Sequence, residues 1–67
     1  MRTYYVIYED GTNSIAIPCG TYADACEILA TNIKNFHHRG ATVIRHNSNY
    51  ADLVANGVAI KLTIYNF

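Results

Sequence analysis

Only one stretch of this 67-residue chain repeats its apolar residues with a helical period, and that limits the architecture more than any other feature. Ala25, Leu29, Ile33 and Phe36 recur at spacings of four, four and three, and with Ile28 they mark one apolar stripe. Leu29 and Ile33 are expected to be almost wholly buried. Thr21 reads as the N-cap, with Asp24 three residues later in a shortened capping box. His37, His38 and Arg39 place positive charge where it complements the helix dipole, and Gly40 supplies a left-handed stop. The spacing predicts a helix from about Tyr22 to His38. One helix covers one side of a sheet, and the chain has no second helix for the other side.

The remaining segments read mainly as strands. Arg2 to Tyr8 is rich in Tyr, Val and Ile, and Ile15-Ala16-Ile17 forms a second run. Asp10-Gly11 between them predicts a two-residue type I′ hairpin. Pairing outward from it opposes Glu9 to Thr12, Val6 to Ile15 and Tyr4 to Ile17. The core side then carries Tyr4, Val6, Ile15 and Ile17, while Tyr5, Ile7 and Ala16 face away. A bulge at the turn would reverse this. Pro18 ends the second strand because it cannot donate to a ladder.

Ala41 to His46 predicts a third strand, followed by the polar loop Asn47-Ser48-Asn49. Tyr50 to Ala55 admits two readings. Asn49 and Asp52 suit the cap and third position of a short helix. Alternatively, the segment is a strand turning through Asn56-Gly57 into Val58 to Asn66. The hairpin register favours the strand, because it sets Leu53 beside Ile60, Ala51 beside Leu62, Asp52 opposite Lys61 and Tyr50 opposite Thr63. Ile60, Leu62 and Ile64 form the inner face of the last strand; Lys61, Thr63, Tyr65 and Phe67 lie outward. The expected fold is one α+β domain over residues 1–67. Its order is β-β-α-β-β-β, with one helix packed on one face of a four- or five-stranded antiparallel sheet.

That arrangement gives meaning to six tyrosines without a tryptophan. Five of them, Tyr4, Tyr5, Tyr8, Tyr50 and Tyr65, fall in strand segments. Neighbouring strand residues point to opposite faces, so Tyr4 and Tyr5 cannot share one core. The outer face is expected to carry Tyr5, Ile7, Tyr50, Lys61 and Tyr65, with Val43 or Ile44 depending on register. High strand propensity of tyrosine is one explanation for this set. A partner-binding face is the other, since an uncovered aromatic patch commonly meets a partner. A secondary candidate is His37, His38 and Arg39, with Lys34 and His46 nearby. Compensation of the helix dipole accounts for that cluster, and recognition of an acidic partner is the alternative.

Composition narrows the function classes. Apolar residues make up 51%, charged residues only 15%, and the formal net charge is zero. No global field therefore attracts nucleic acid or an anionic membrane. No apolar run approaches the length of a membrane span, and no charged segment precedes an apolar one as in a signal peptide. Cys19 and Cys26 are too few for a disulfide framework and read as reduced thiols of a cytoplasmic protein. Neither the cysteines nor His37, His38 and His46 have zinc-ligand spacing, so no metal or other cofactor is expected. There is no phosphate loop, no nucleophile beside an evident base and no carboxylate pair on one element. A domain of this size is also expected to lack room for a cleft of a few hundred Å3. A non-enzymatic protein is the expectation.

The layout Tyr5-Val6-Ile7-Tyr8-Glu9, Ile15-Ala16-Ile17, Thr21-x-x-Asp24-Ala25-x-x-Ile28 and Gly40-Ala41-Thr42-Val43-Ile44-Arg45 resembles small bacteriophage proteins. In particular it is similar to compact anti-CRISPR inhibitors that pack one helix on an antiparallel sheet. The resemblance covers most of the chain as a pattern, and no residue role carries over position by position. It implies a phage or mobile-element inhibitor that occludes a host nuclease complex in the host cytoplasm. Several such inhibitors use lysine-rich faces, whereas this chain has only Lys34 and Lys61. Two alternatives stand beside it. One is a homodimer, an accessory protein paired through its open sheet face. The other is a single-strand nucleic-acid-binding module.

Overall fold

A computed structural model describes residues 3–66; Arg2, where the first strand was expected to begin, and Phe67 on the outer face lie outside the described residues. The elements are β1 (Tyr4–Glu9), β2 (Ser14–Cys19), α1 (Tyr22–His38), β3 (Thr42–His46), β4 (Tyr50–Ala55) and β5 (Val58–Asn66). They form one five-stranded sheet in the order β2-β1-β5-β4-β3, and every neighbouring pair is antiparallel. The α+β reading and the β-β-α-β-β-β order are therefore correct, and Tyr50 to Ala55 is a strand.

Local chemistry fixes both ends of α1. The Thr21 hydroxyl accepts from the Asp24 backbone N–H at 3.1 Å, satisfying one of the orphan donors of the first turn. At the other end Gly40 N–H donates to the His37 carbonyl at 3.1 Å, and Ala41 N–H donates to the Phe36 carbonyl at 3.0 Å. These two bonds make a Schellman cap, which needs the left-handed φ of +96° that Gly40 adopts.

The β4–β5 hairpin has the register expected from the sequence, with Leu53 beside Ile60, Ala51 beside Leu62 and Asp52 beside Lys61. Asn56 at φ +51° and Gly57 at φ +77° provide the paired positive torsions of a type I′ turn. The first hairpin differs from expectation. Val6 pairs with Ile17 and Tyr8 with Ile15, so each β1 residue meets a β2 residue two positions later than anticipated. Asp10 leaves the centre of the turn and becomes its clamp. Its backbone N–H donates to the Asn13 carbonyl, while its carboxylate accepts from the backbone N–H groups of Thr12 and Asn13 and from the Tyr8 hydroxyl. Only Gly11 then needs positive φ, at +93°, and Asp10 is spared a conformation costly for a residue with a Cβ. A slip of two residues preserves the pleat. The face assignments of Tyr4, Val6, Ile15 and Ile17 therefore stand, although their pairings do not.

These donors hold the Asp10 carboxyl down to about 2, the hydrogen bond from Asn13 contributing most. The same contact acts in reverse on Tyr8, whose hydroxyl is pushed up chiefly by its bond to Asp10.

The core lies between α1 and the inner sheet face. Leu29, Leu53, Leu62 and Val6 are its largest fully buried side chains. Leu29 packs with Ala41, Ala51, Leu53, Ile60 and Leu62, whereas Ala25 packs with Val6 and Cys19; Ile64 touches both groups. Tyr8 stacks on Phe36 with ring centroids 5.8 Å apart, and Tyr4 meets Tyr22 at 5.7 Å. The helix covers the middle of the sheet and leaves a groove along each margin. Ile33 lines one of them and is only half-buried, contrary to the expectation of near-complete burial.

Candidate functional site

Residues paired across antiparallel strands share a face, so the registers define the outer surface directly. Tyr5 pairs with Tyr65 across β1 and β5. One row along, Ile7 pairs with Thr63, which pairs in turn with Tyr50 on β4. The next row joins four strands: Glu9 to Lys61, Lys61 to Asp52, and Asp52 to Arg45. All five residues expected on the outer face, Tyr5, Ile7, Tyr50, Lys61 and Tyr65, therefore lie on one side of the sheet, opposite α1. Tyr4 and Tyr8 lie on the helix side.

The two aromatic populations differ in environment. Tyr4 and Tyr8 have helix rings against them, while Tyr65 remains 48% exposed. Tyr5, Ile7 and Tyr50 are half-buried by neighbouring strand residues. Val43 packs against the core, and Ile44, at an irregularity in the β3–β4 register, is 60% exposed. The partial burial of Val43 and the exposure of Ile44 thus make Ile44 the outward residue of the expected pair.

The charged row alternates in sign: Glu9, Lys61, Asp52, Arg45. Each lateral neighbour is of opposite charge, worth about 0.2–1 kcal/mol per pair on a sheet surface. The row leaves the face without a net field. A strand of phosphates would meet two carboxylates beside two cations.

The secondary cluster does not remain together. His37 lines the groove between α1 and β3, Arg39 lines the groove on the β2 side, and His38 is exposed and lines neither. Lys34 and His46 join His37 on the β3 side. That groove, of about 650 Å3, corrects the expectation that so small a domain lacks room for a cleft. Cys26 is half-buried beside it, with its thiol directed to the Ser48 carbonyl at 3.6 Å. Cys19 is buried, and both cysteines are free thiols. The neighbouring stripe Cys26, Ala30, Lys34 and His37 is the signal in the sequence that marks this side of the helix. Its meaning depended on where the helix sits over the sheet.

Among the described residues no helix is long and apolar enough to cross a membrane, and no group of three or more His, Cys, Asp or Glu side chains is placed to hold a metal ion. Comparison with protein-family models, curated proteins and solved structures gives no match.

Proposed function

We propose that the protein is a non-enzymatic binding module whose open sheet face contacts another protein. The observation that carries this reading is the gathering of Tyr5, Ile7, Tyr50 and Tyr65 on the side that α1 does not cover. Tyrosines on rigid strands present large contact area at little entropic cost. The sheet edges favour the face over lateral strand addition, since β2 carries Pro18 and β3 has an irregular register. The balanced charge row speaks against a nucleic-acid strand as the occupant. The resemblance to anti-CRISPR inhibitors supplies the partner class, a host nuclease complex. The test is inhibition of such complexes by the parent, Tyr5→Ala and Tyr65→Ala. Loss of an aromatic anchor is expected to cost about 2 kcal/mol, or roughly thirtyfold in affinity, with folding retained. Folded variants that inhibit as well as a parent with measurable inhibition would place the contact surface elsewhere.

A second reading is favoured by the symmetry of the charge row. An axis parallel to the strands between β5 and β4 turns a second copy face to face with the first. Lys61 then opposes Asp52 of the second copy, and Glu9 opposes its Arg45, so the row is its own complement. Such an isologous contact is the commonest form of dimer, and it stacks two sheets with nearly aligned strands. Lys61→Asp and Asp52→Lys would each oppose like charges and disfavour self-association. Mixed together, the two variants restore opposite charges and should form a heterodimer in sedimentation analysis. Equal behaviour of the separate and mixed variants would remove the dimer.

A further inference from the structure

The groove between α1 and β3 is chemically unlike the open face, and nothing in the proposed contact surface uses it. Leu29, Ile33 and Val43 form its apolar floor. Lys34, His37 and His46 supply an ammonium and two imidazoles among its lining. Among the described residues no Asp or Glu lines it. A chain with equal numbers of acidic and basic residues has thus collected only basic ones along this margin. Lys34 and His37 are neighbours on one helix face, and His46 reaches the same groove from β3. The volume of about 650 Å3 falls in the range of small-molecule sites, which pair an apolar lining with a few convergent polar groups.

We infer that this groove binds a small amphipathic monocarboxylate, with its apolar body along Leu29, Ile33 and Val43 and its carboxylate among Lys34, His37 and His46. One ammonium and two imidazoles match a single negative charge better than a polyphosphate. The apolar floor gives the occupant its hydrocarbon character. A carboxylate is not an electrophile for the Cys26 thiol that lines the groove, so the association is non-covalent. The site lies on the helix side of the sheet, and its occupancy can be measured without any partner of the opposite face.

Decanoate, kept below its micellar concentration, is a suitable probe, with decanol and decyltrimethylammonium as controls. Amide shifts in 15N spectra of the full chain should be saturable and centred on Leu29, Ile33 and Val43. Decanoate should bind about fivefold or more tightly than decanol, and the cationic analogue more weakly than either. Lys34→Gln, an exposed change that spares the core, should weaken decanoate about threefold. Ala30→Phe fills the groove from the exposed side of the helix and should weaken it at least tenfold. Equal binding of all three probes would reduce the groove to unspecific apolar adsorption and overturn the inference. Shifts confined to Tyr5 and Tyr65, or unchanged binding by folded Ala30→Phe, would do the same. An acidic peptide that displaces decanoate at much lower concentration would reassign the groove to a macromolecule.

Discussion

Leu29 and Ile33 stand one helical turn apart on the same stripe, yet the structure separates them sharply. Both reach the β3-side groove, but Leu29 is 1% exposed and enclosed by Ala41, Leu53, Ile60 and Leu62, whereas Ile33 is only half-buried. Truncating Leu29 to Ala leaves a void whose walls belong to paired strands and cannot readily collapse. A cost of about 3–4 kcal/mol follows, inside the usual range of 2–5. Truncating Ile33 removes methyl groups that already face water in part, so about 1–2 kcal/mol is expected. A domain of 67 residues holds about 3–10 kcal/mol in all. With a urea dependence of about 1 kcal/mol per molar, Leu29→Ala lowers the midpoint by about 3–4 M and Ile33→Ala by about 1–2 M. If Leu29→Ala is unfolded outright, Leu29→Val and Ile33→Val carry the same comparison at about 1 kcal/mol and half that. Urea titrations followed by circular dichroism decide it. An Ile33 loss equal to or greater than that of Leu29 would refute the placement of Leu29 in the core and Ile33 at its margin.

Three further outcomes are expected. Gly57→Val forces a β-branched residue to φ +77° and should cost about 1–3 kcal/mol in thermal melts, against little for Gly20→Ala, whose added Cβ meets nothing closer than 3.8 Å. Asp10, with its folded carboxyl depressed from 3.8 to about 2, contributes stability above the unfolded value and loses it as pH falls from about 4 to about 2. Asp10→Asn should therefore lose stability relative to the parent at neutral pH, with the gap closing across that interval; a constant gap would contradict the clamp. Tyr65→Ala, at 48% exposure, should move the melting temperature by only a few degrees, and a collapse of the fold would assign Tyr65 to the core instead of the surface.

The helix and the β4–β5 hairpin were legible in the sequence because each is fixed by contacts close along the chain. Thr21, Gly40 and the Asn56-Gly57 pair declare element ends through torsions and caps that few other residues satisfy. Face assignments were legible for a related reason, since the pleat tolerates a slip of two residues without exchanging sides. The first hairpin register was not, because Asp10 had two roles open to it. Turn position and side-chain clamp use the same residue, and four acceptor contacts at the carboxylate decided between them. The outer tyrosine set followed from alternation alone. The groove did not, because it arises from the position of the helix over the sheet, and no local pattern encodes that position.

The strand order has a consequence for how the molecule comes to be folded. β5, which follows every other described strand in the chain, lies in the middle of the sheet between β1 and β4. Before it arrives, the described chain holds only two separate hydrogen-bonded ribbons, β1–β2 and β3–β4. Neither ribbon has a neighbour on its inner flank, and two-stranded units of this kind are marginal in water. Joining them requires Val6 to find Ile64 from the opposite end of the chain, a closure that local contacts cannot prepare. Folding should therefore be late and concerted. Until Ile60, Leu62 and Ile64 are in place, Leu29 and Val6 have no common core to enter. A nascent chain stalled before β5 would display two unpaired strand flanks, β1 and β4, to chaperones, proteases and other copies of itself.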